Sequence, residues 1–185
     1  NKPWGIVTLE DFDGSGELTV NGNLAICRER DECGESLYDG RMEVRGNAIV
    51  SDCCSISGEL QVDGDLTIRG TLNLDGAIRV SGNVTMEPDS IYMSEETLLL
   101  VGKDLYFTPQ NDSTNLCAGT IECKGNLYTN GRFMASGNHR LVLSGDKLQT
   151  ISTEITDRFA KERSRNGGKN GRVHNNKRNG GGDSL

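Results

Sequence analysis

"GELQVDGDLTIRGTLNLDGAIRVSGNVTM" (residues 58–86) sets Gly58, Gly64, Gly70, Gly76 and Gly82 six apart without a slip. Between consecutive glycines stand two apolar residues at fixed offsets: Leu60 and Val62, Leu66 and Ile68, Leu72 and Leu74, Ile78 and Val80. Glycines and apolar residues fill the even positions, and mostly polar residues fill the odd ones. A period of two marks a strand whose two faces differ; a helix would space apolar residues at three and four. No longer turn segment separates these short strands, which excludes an ordinary meander. A chain that bends at every sixth residue and keeps coiling is a single-stranded β-helix, or β-solenoid. Three hexads give about 18 residues per coil, with coils about 4.8 Å apart. Glycine is expected at the corners, where the backbone turns sharply and an inward Cβ would crowd the core.

The module recurs in "GELTVNGNLAI" (16–26), "GRMEVRGNAIV" (40–50) and "GTIECKGNLYT" (119–129), and more loosely in "LLLVGKDLYF" (98–107) and "RLVLSGDKLQTI" (140–151). The common form is apolar-x-apolar-x-Gly-polar-apolar. Its central glycines, Gly22, Gly46, Gly64, Gly82, Gly102, Gly125 and Gly145, predict roughly seven coils in an all-β domain over 1–152. Three polar stretches, 27–39, 86–96 and 108–118, read as surface loops. Pro88 and Pro109 fall inside two of them, so that no proline interrupts a predicted strand. Residues 1–12, with Trp4, are expected to cap the first coil. A short helix over 153–165, with Ile155 and Phe159 one turn apart, is expected to cap the last. From Asn166 to Leu185, Gly, Asn, Lys and Arg dominate, a composition that predicts a disordered tail.

Apolar residues make up 34% of the chain and aromatics 5%, which suits a narrow repetitive core better than a globule filled with large side chains. No apolar stretch approaches the roughly 20 residues needed to span a bilayer. The chain opens at Asn1 without a basic and apolar leader, so a secretion signal is expected to have been removed or never to have belonged to this stretch. Residues 1–156 carry 12 Lys or Arg against 24 Asp or Glu, while residues 157–185 carry 8 against 3. An acidic body repels phosphate and argues against nucleic acid as its partner. The basic tail could hold anionic wall polymers, membrane or nucleic acid electrostatically, or simply aid solubility.

Few residues suggest chemistry. Asp11, Asp13 and Ser15 stand at positions one, three and five of a calcium-type loop, with Gly16 at six. Gly22 occupies the position where such a loop needs a bidentate glutamate, and the flanks read as strand. A plain Asp/Gly turn is the favoured reading and calcium the alternative. His139 has no serine, cysteine or carboxylate at a catalytic spacing and reads as a coil-edge hydrogen-bonding residue. Glu59, Asp63, Asp65, Arg69, Asp75 and Arg79 project outward with mixed signs, as on a solvated face. A lyase or hydrolase of the β-helix type would call for convergent acids or a row of aromatics to stack sugars, and neither is legible. Thr67, Thr71 and Thr85 do not read as a threonine ladder at coil spacing. The sequence therefore predicts a chain without enzymatic activity and without a cofactor.

"GTIECKGNLYTNGRFMASGNHRLVLSGDKLQTIS" (119–152) resembles a repeat of large extracellular proteins from Firmicutes-type bacteria, on Gly119, Glu122, Lys124, Gly125, Phe133, Ala135 to His139, Leu143 to Gly145 and Gln149 to Ser152. "GDLTIRGTLNLDG" (64–76) is similar to the repeats that usually precede it. The resemblance implies a secreted or wall-associated solenoid module and carries no catalytic residues. The cysteine-bearing loops of the N-terminal third and the chain after Ile155 depart from it. The hexad run also resembles bactofilins, cytoplasmic β-helix proteins that polymerise end to end. In a chain resembling secreted proteins, six cysteines suggest disulfides: Cys27 with Cys33 and Cys117 with Cys123 within loops, and the adjacent Cys53 and Cys54 between subunits. Cys123 also falls at an inward strand position, where a plain buried thiol is the simpler reading.

Together these features lead to the expectation of an extracellular or cell-surface structural or adhesive solenoid that self-associates end to end. A module whose loops bind a glycan or a host protein is the alternative, and a carbohydrate-active enzyme a third.

Overall fold

The structure, a computed structural model, describes residues 5–10, 14–27, 38–51, 53–110, 116–130, 133 and 135–153. All lie in one compact unit, Asn1–Ile155. Trp4, the expected capping helix and the tail fall outside the described residues. Strands follow in the order β1 (Ile6–Glu10), β2 (Gly14–Val20), β3 (Asn23–Cys27), β4 (Tyr38–Val44), β5 (Ala48–Val50), β6 (Cys53–Ile56), β7 (Glu59–Val62) and β8 (Leu66–Leu74). After them come β9 (Ala77–Val80), β10 (Val84–Met93), β11 (Leu98–Val101), β12 (Leu105–Phe107), β13 (Thr120–Cys123), β14 (Leu127–Thr129), β15 (Arg140–Leu143) and β16 (Ile151–Ser152). Every pairing between them is parallel, and the strands wind as a β-solenoid of about six turns with no helix among the described residues. None of the described residues forms a helix long and apolar enough to cross a membrane.

Two faces recur along the whole solenoid, and a third along its middle. The first runs through β1, β3, β5, the start of β8, the start of β10, β12, β14 and β16. The second runs through β2, β4, β7, β9, β11, β13 and β15. The third stacks β6 on the second half of β8, and that on the second half of β10. The seven central glycines mark seven rungs of the second face.

The alternation of the hexads is the alternation of the strands. Met42, Leu60, Ile78, Leu99 and Ile121 stack inward on the second face beside Val44, Val62, Val80, Val101 and Cys123, and all ten are buried. Leu24, Ala48, Leu66, Val84, Leu105 and Leu127 do the same on the first face. Stacking of like on like lets one coil's side chains fit the next without new packing solutions, as in other repeat folds.

The corner glycines are needed for a reason other than the expected one. A Cβ on Gly58 would stand 2.0 Å from the Gly40 carbonyl oxygen, and one on Gly76 2.0 Å from that of Gly58. The clash lies with the backbone of the neighbouring coil, not with the core. Of the five hexad glycines, Gly70 alone has positive φ, at 74°.

The stretch 86–96 is not a loop. Through Met93 it continues β10 onto the third face, where Ile91 and Met93 are buried above Leu72 and Leu74. Pro88 does lie in a strand, opposite Gly70, and the register shifts by one residue between Pro88 and Ser90. A bulge at a bend is a place where a sheet tolerates a residue with no N–H to donate. The corner that follows is closed by Thr97, which is buried and whose hydroxyl donates to the Leu74 carbonyl at 2.6 Å. In the expected loop 108–118, Leu116 is fully buried and bridges Ala135 in parallel.

Candidate functional site

The most regular polar feature is a ladder along the corner between the second and first faces. Asn23 Oδ1 accepts the Asn47 N–H at 2.9 Å, and Asn47 Oδ1 accepts that of Asp65 at 2.9 Å. Asp65 Oδ1 accepts Asn83 N–H at 2.7 Å, Asn83 Oδ1 accepts Asp104 N–H at 3.2 Å, and Asp104 Oδ1 accepts Asn126 N–H at 2.7 Å. Asn126 Oδ1 closes the series on Thr150 N–H at 2.9 Å. One short side-chain oxygen per coil thus satisfies a backbone donor that the sharp corner leaves without a strand partner. The same corner demands glycine: a Cβ on Gly46, Gly64, Gly82 or Gly125 would lie 2.2 to 2.4 Å from the ladder oxygen of the coil before. Glycine and the following Asn or Asp are one device. The "GN" and "GD" pairs of the repeat carried this signal, but only the stacking of coils gives it meaning.

The outward charges pair within a coil or with the next one rather than converge on a point. Arg79 Nε donates to Glu59 at 2.8 Å, Arg69 Nε donates to Glu87 at 3.1 Å, and Arg45 spans Glu43 at 2.9 Å and Asp63 at 3.6 Å. All are solvent-facing pairs, each contributing about 0.2–1 kcal/mol.

Two features of the outward surface correct the sequence reading. Thr67 and Thr85 are direct neighbours on the first face, while Thr71 lies on the third face opposite Cys53 and Ser90. Above that threonine pair, Tyr106 and Tyr128 stack with ring centroids 4.9 Å apart and planes 10° from parallel. An aromatic row therefore exists. Its ring faces are turned on each other along the coil axis, so it presents edges outward and makes a poor platform for a sugar ring.

The other singled-out residues are scattered. Ser15 is exposed in β2 opposite Asp39, while Asp11 and Asp13 lie outside the described residues. Among the described residues no three His, Cys, Asp or Glu side chains are grouped as for a metal ion. Cys27, Cys117 and Cys123 carry free thiols, and Cys33 lies outside the described residues. Cys117 is exposed, whereas Cys123 is fully buried in the place that valine takes in five earlier coils, so the structure does not bring these two together. Burial pushes the Cys123 thiol pKa above its ordinary 9.0, against the opposing pull of the Gly125 and Leu105 backbone amides. Cys54 is buried and its thiol donates to the Ser51 carbonyl at 3.3 Å; Cys53 lies beside it in β6. His139 Nδ1 donates to the Ala118 carbonyl at 2.8 Å, with its ring 6.2 Å from that of Phe133. Its Nε2 is buried without a partner, as is the Thr129 hydroxyl. His139 thus ties one coil to the next and has no acid or nucleophile in a catalytic relation to it among the described contacts.

Searches against known protein families, curated proteins and solved structures find no match for this chain.

Proposed function

We propose that the chain is a non-catalytic structural module of the cell exterior whose ends stack on further copies, head to tail. The observation that carries this reading is the state of the two ends. Among the described residues, β1 and β2 at one end and β15 and β16 at the other each pair on one side only. Because all rungs are parallel, the upper edge of one copy has the geometry that the lower edge of another requires, and such contacts propagate without closing. Ile6 is 70% exposed and Ile151 55%, so apolar surface accompanies the open backbone at both ends. Charge supports the same pairing. Residues 5–27 hold four acids (Glu10, Asp11, Asp13, Glu17) and no Lys or Arg, whereas residues 124–153 hold Lys124, Arg132, Arg140 and Lys147 against Asp146. Opposite ends steer copies into head-to-tail register and disfavour head-to-head contact. The exterior setting rests on the resemblance of residues 119–152 to surface repeats and on the cysteines. With the Cys54 thiol buried, a bridge between copies falls to Cys53.

Electron microscopy and sedimentation across a concentration series test the reading, at low and high salt and with and without reductant. Filaments that lengthen with concentration and shorten in high salt are expected. Monomers at every concentration would overturn it.

A further inference from the structure

The corner that carries the Asn/Asp ladder has one irregular member. Three residues connect β9 to β10, β11 to β12 and β13 to β14, but seven connect β15 to β16. The extra length is not slack. Gln149 staples it down: its Oε1 accepts the Gly145 N–H at 2.8 Å while its Nε2 donates to the carbonyls of Cys123, at 3.0 Å, and Gly125. The widened corner and the two coils before it border an open cleft of about 400 Å³, lined by Lys103, Lys124, Lys147, Asn126, Asp146 and Leu148 among others. That volume lies in the range of small-ligand sites.

The lining has a definite chemistry. None of the three lysine ammonium groups is in an ion pair among the described residues, although the body around them is acidic and Arg41, Arg45, Arg69 and Arg79 are each paired. Asp104, which also borders the cleft, is engaged by the Asn126 N–H, and Asn126 spends its oxygen on Thr150, which leaves its amide nitrogen available. Leu148 is 95% exposed at the rim. Unpaired ammonium groups call for an anion, the carboxylate of Asp146 accepts a hydroxyl, and a bare leucine suits an apolar ring face. A dense polyphosphate would meet two carboxylates in the cleft, and a neutral sugar would leave the lysines unpaired. We propose that this corner binds an acidic saccharide, its carboxylate held between lysines of successive coils. The proposal goes beyond end-to-end stacking and does not rest on it, since the cleft lies within one copy.

The test is binding of a linear uronic acid trisaccharide, followed by amide chemical shifts and by calorimetry, on full-length chain at a concentration where sedimentation shows monomers. Its methyl ester and inorganic phosphate serve as comparison probes. Shifts concentrated in residues 144–150 and around Lys103 and Lys124 are expected. Esterification, or the double substitution Lys103→Ala with Lys124→Ala, should each weaken binding about tenfold, as loss of two partly screened charge contacts implies. Arg69→Ala, on the first face, should change nothing, and circular dichroism should show all variants folded. No shifts with the trisaccharide up to about 10 mM would overturn the proposal. So would phosphate binding as well as the trisaccharide, or a double variant that binds like the parent.

Discussion

Replacing Gly58 with alanine tests the view that the corner glycines are there to let coils approach. The new Cβ would sit 2.0 Å from the Gly40 carbonyl oxygen, 2.4 Å from its nitrogen and 2.9 Å from its carbonyl carbon. All three are backbone atoms, so no side chain can swing aside. The coils would have to part locally by about 1 Å to reach an ordinary contact, in a lattice about 4.8 Å deep whose ladder bonds are already near ideal length. Overpacking of this kind costs about 1–3 kcal/mol, and a ladder bond stretched beyond use adds about 1 kcal/mol. Against this, alanine loses less conformational freedom than glycine on folding, a gain of about 0.4–1 kcal/mol. The net expectation is a loss of about 1–3 kcal/mol. Gly5 supplies the control: nothing lies within 4 Å of its Cβ position and its φ is not positive, so Gly5→Ala should be neutral or slightly stabilising. Urea unfolding followed by circular dichroism compares the two. If Gly58→Ala and Gly5→Ala unfold at the same urea concentration, the close-approach explanation is wrong.

Two further outcomes follow from the core. Thr129 buries a hydroxyl with no partner, so Thr129→Val, which keeps the shape, should raise stability by about 1 kcal/mol, whereas a loss would mean that the hydroxyl is satisfied in solution. The folded chain holds the Cys123 proton to higher pH than the unfolded chain does, because burial raises the thiol pKa above 9.0. The stability this confers is full below the ordinary thiol pKa and is lost as pH rises through the folded-state value. Urea midpoints measured from about pH 8 to 11 should therefore fall more steeply for the parent than for Cys123→Val, and parallel profiles would refute the assignment.

The fold was legible because one device repeats. Five glycines at a period of six and the alternation between them force a parallel solenoid, and every inward residue from Leu60 to Val80 is where the alternation puts it. The boundaries were legible only where coils keep the minimal length. Residues 86–96 look like a loop because Pro88, Asp89, Glu95 and Glu96 are turn-forming or polar, yet coil-to-coil pairing draws Ser90 to Met93 into the sheet, and local composition does not carry that force. The Tyr106–Tyr128 stack was hidden for a related reason. The two residues lie 22 apart, and only the register of β12 on β14 tells that this is one turn. Cys123, by contrast, could be placed inward from "IECKG" alone.

The ladder also accounts for where a binding site can arise. In each coil from Gly46 to Asn126 the corner is held to three residues, because an Asn or Asp must reach the next backbone N–H while the glycine at the corner lets the coils close. Any insertion there would displace the oxygen and leave a backbone donor unmatched, a loss of about 1 kcal/mol repeated in the coil above. At Thr150 the series receives its last bond, and no Asn or Asp stands at that position to serve a further coil. The length of the corner is no longer fixed from above. It is there that the chain adds four residues, and there that the lysines of two regular coils acquire a wall opposite them. The regular coils supply a rigid, evenly spaced surface, and the last one, released from the repeat, turns part of that surface into a cleft.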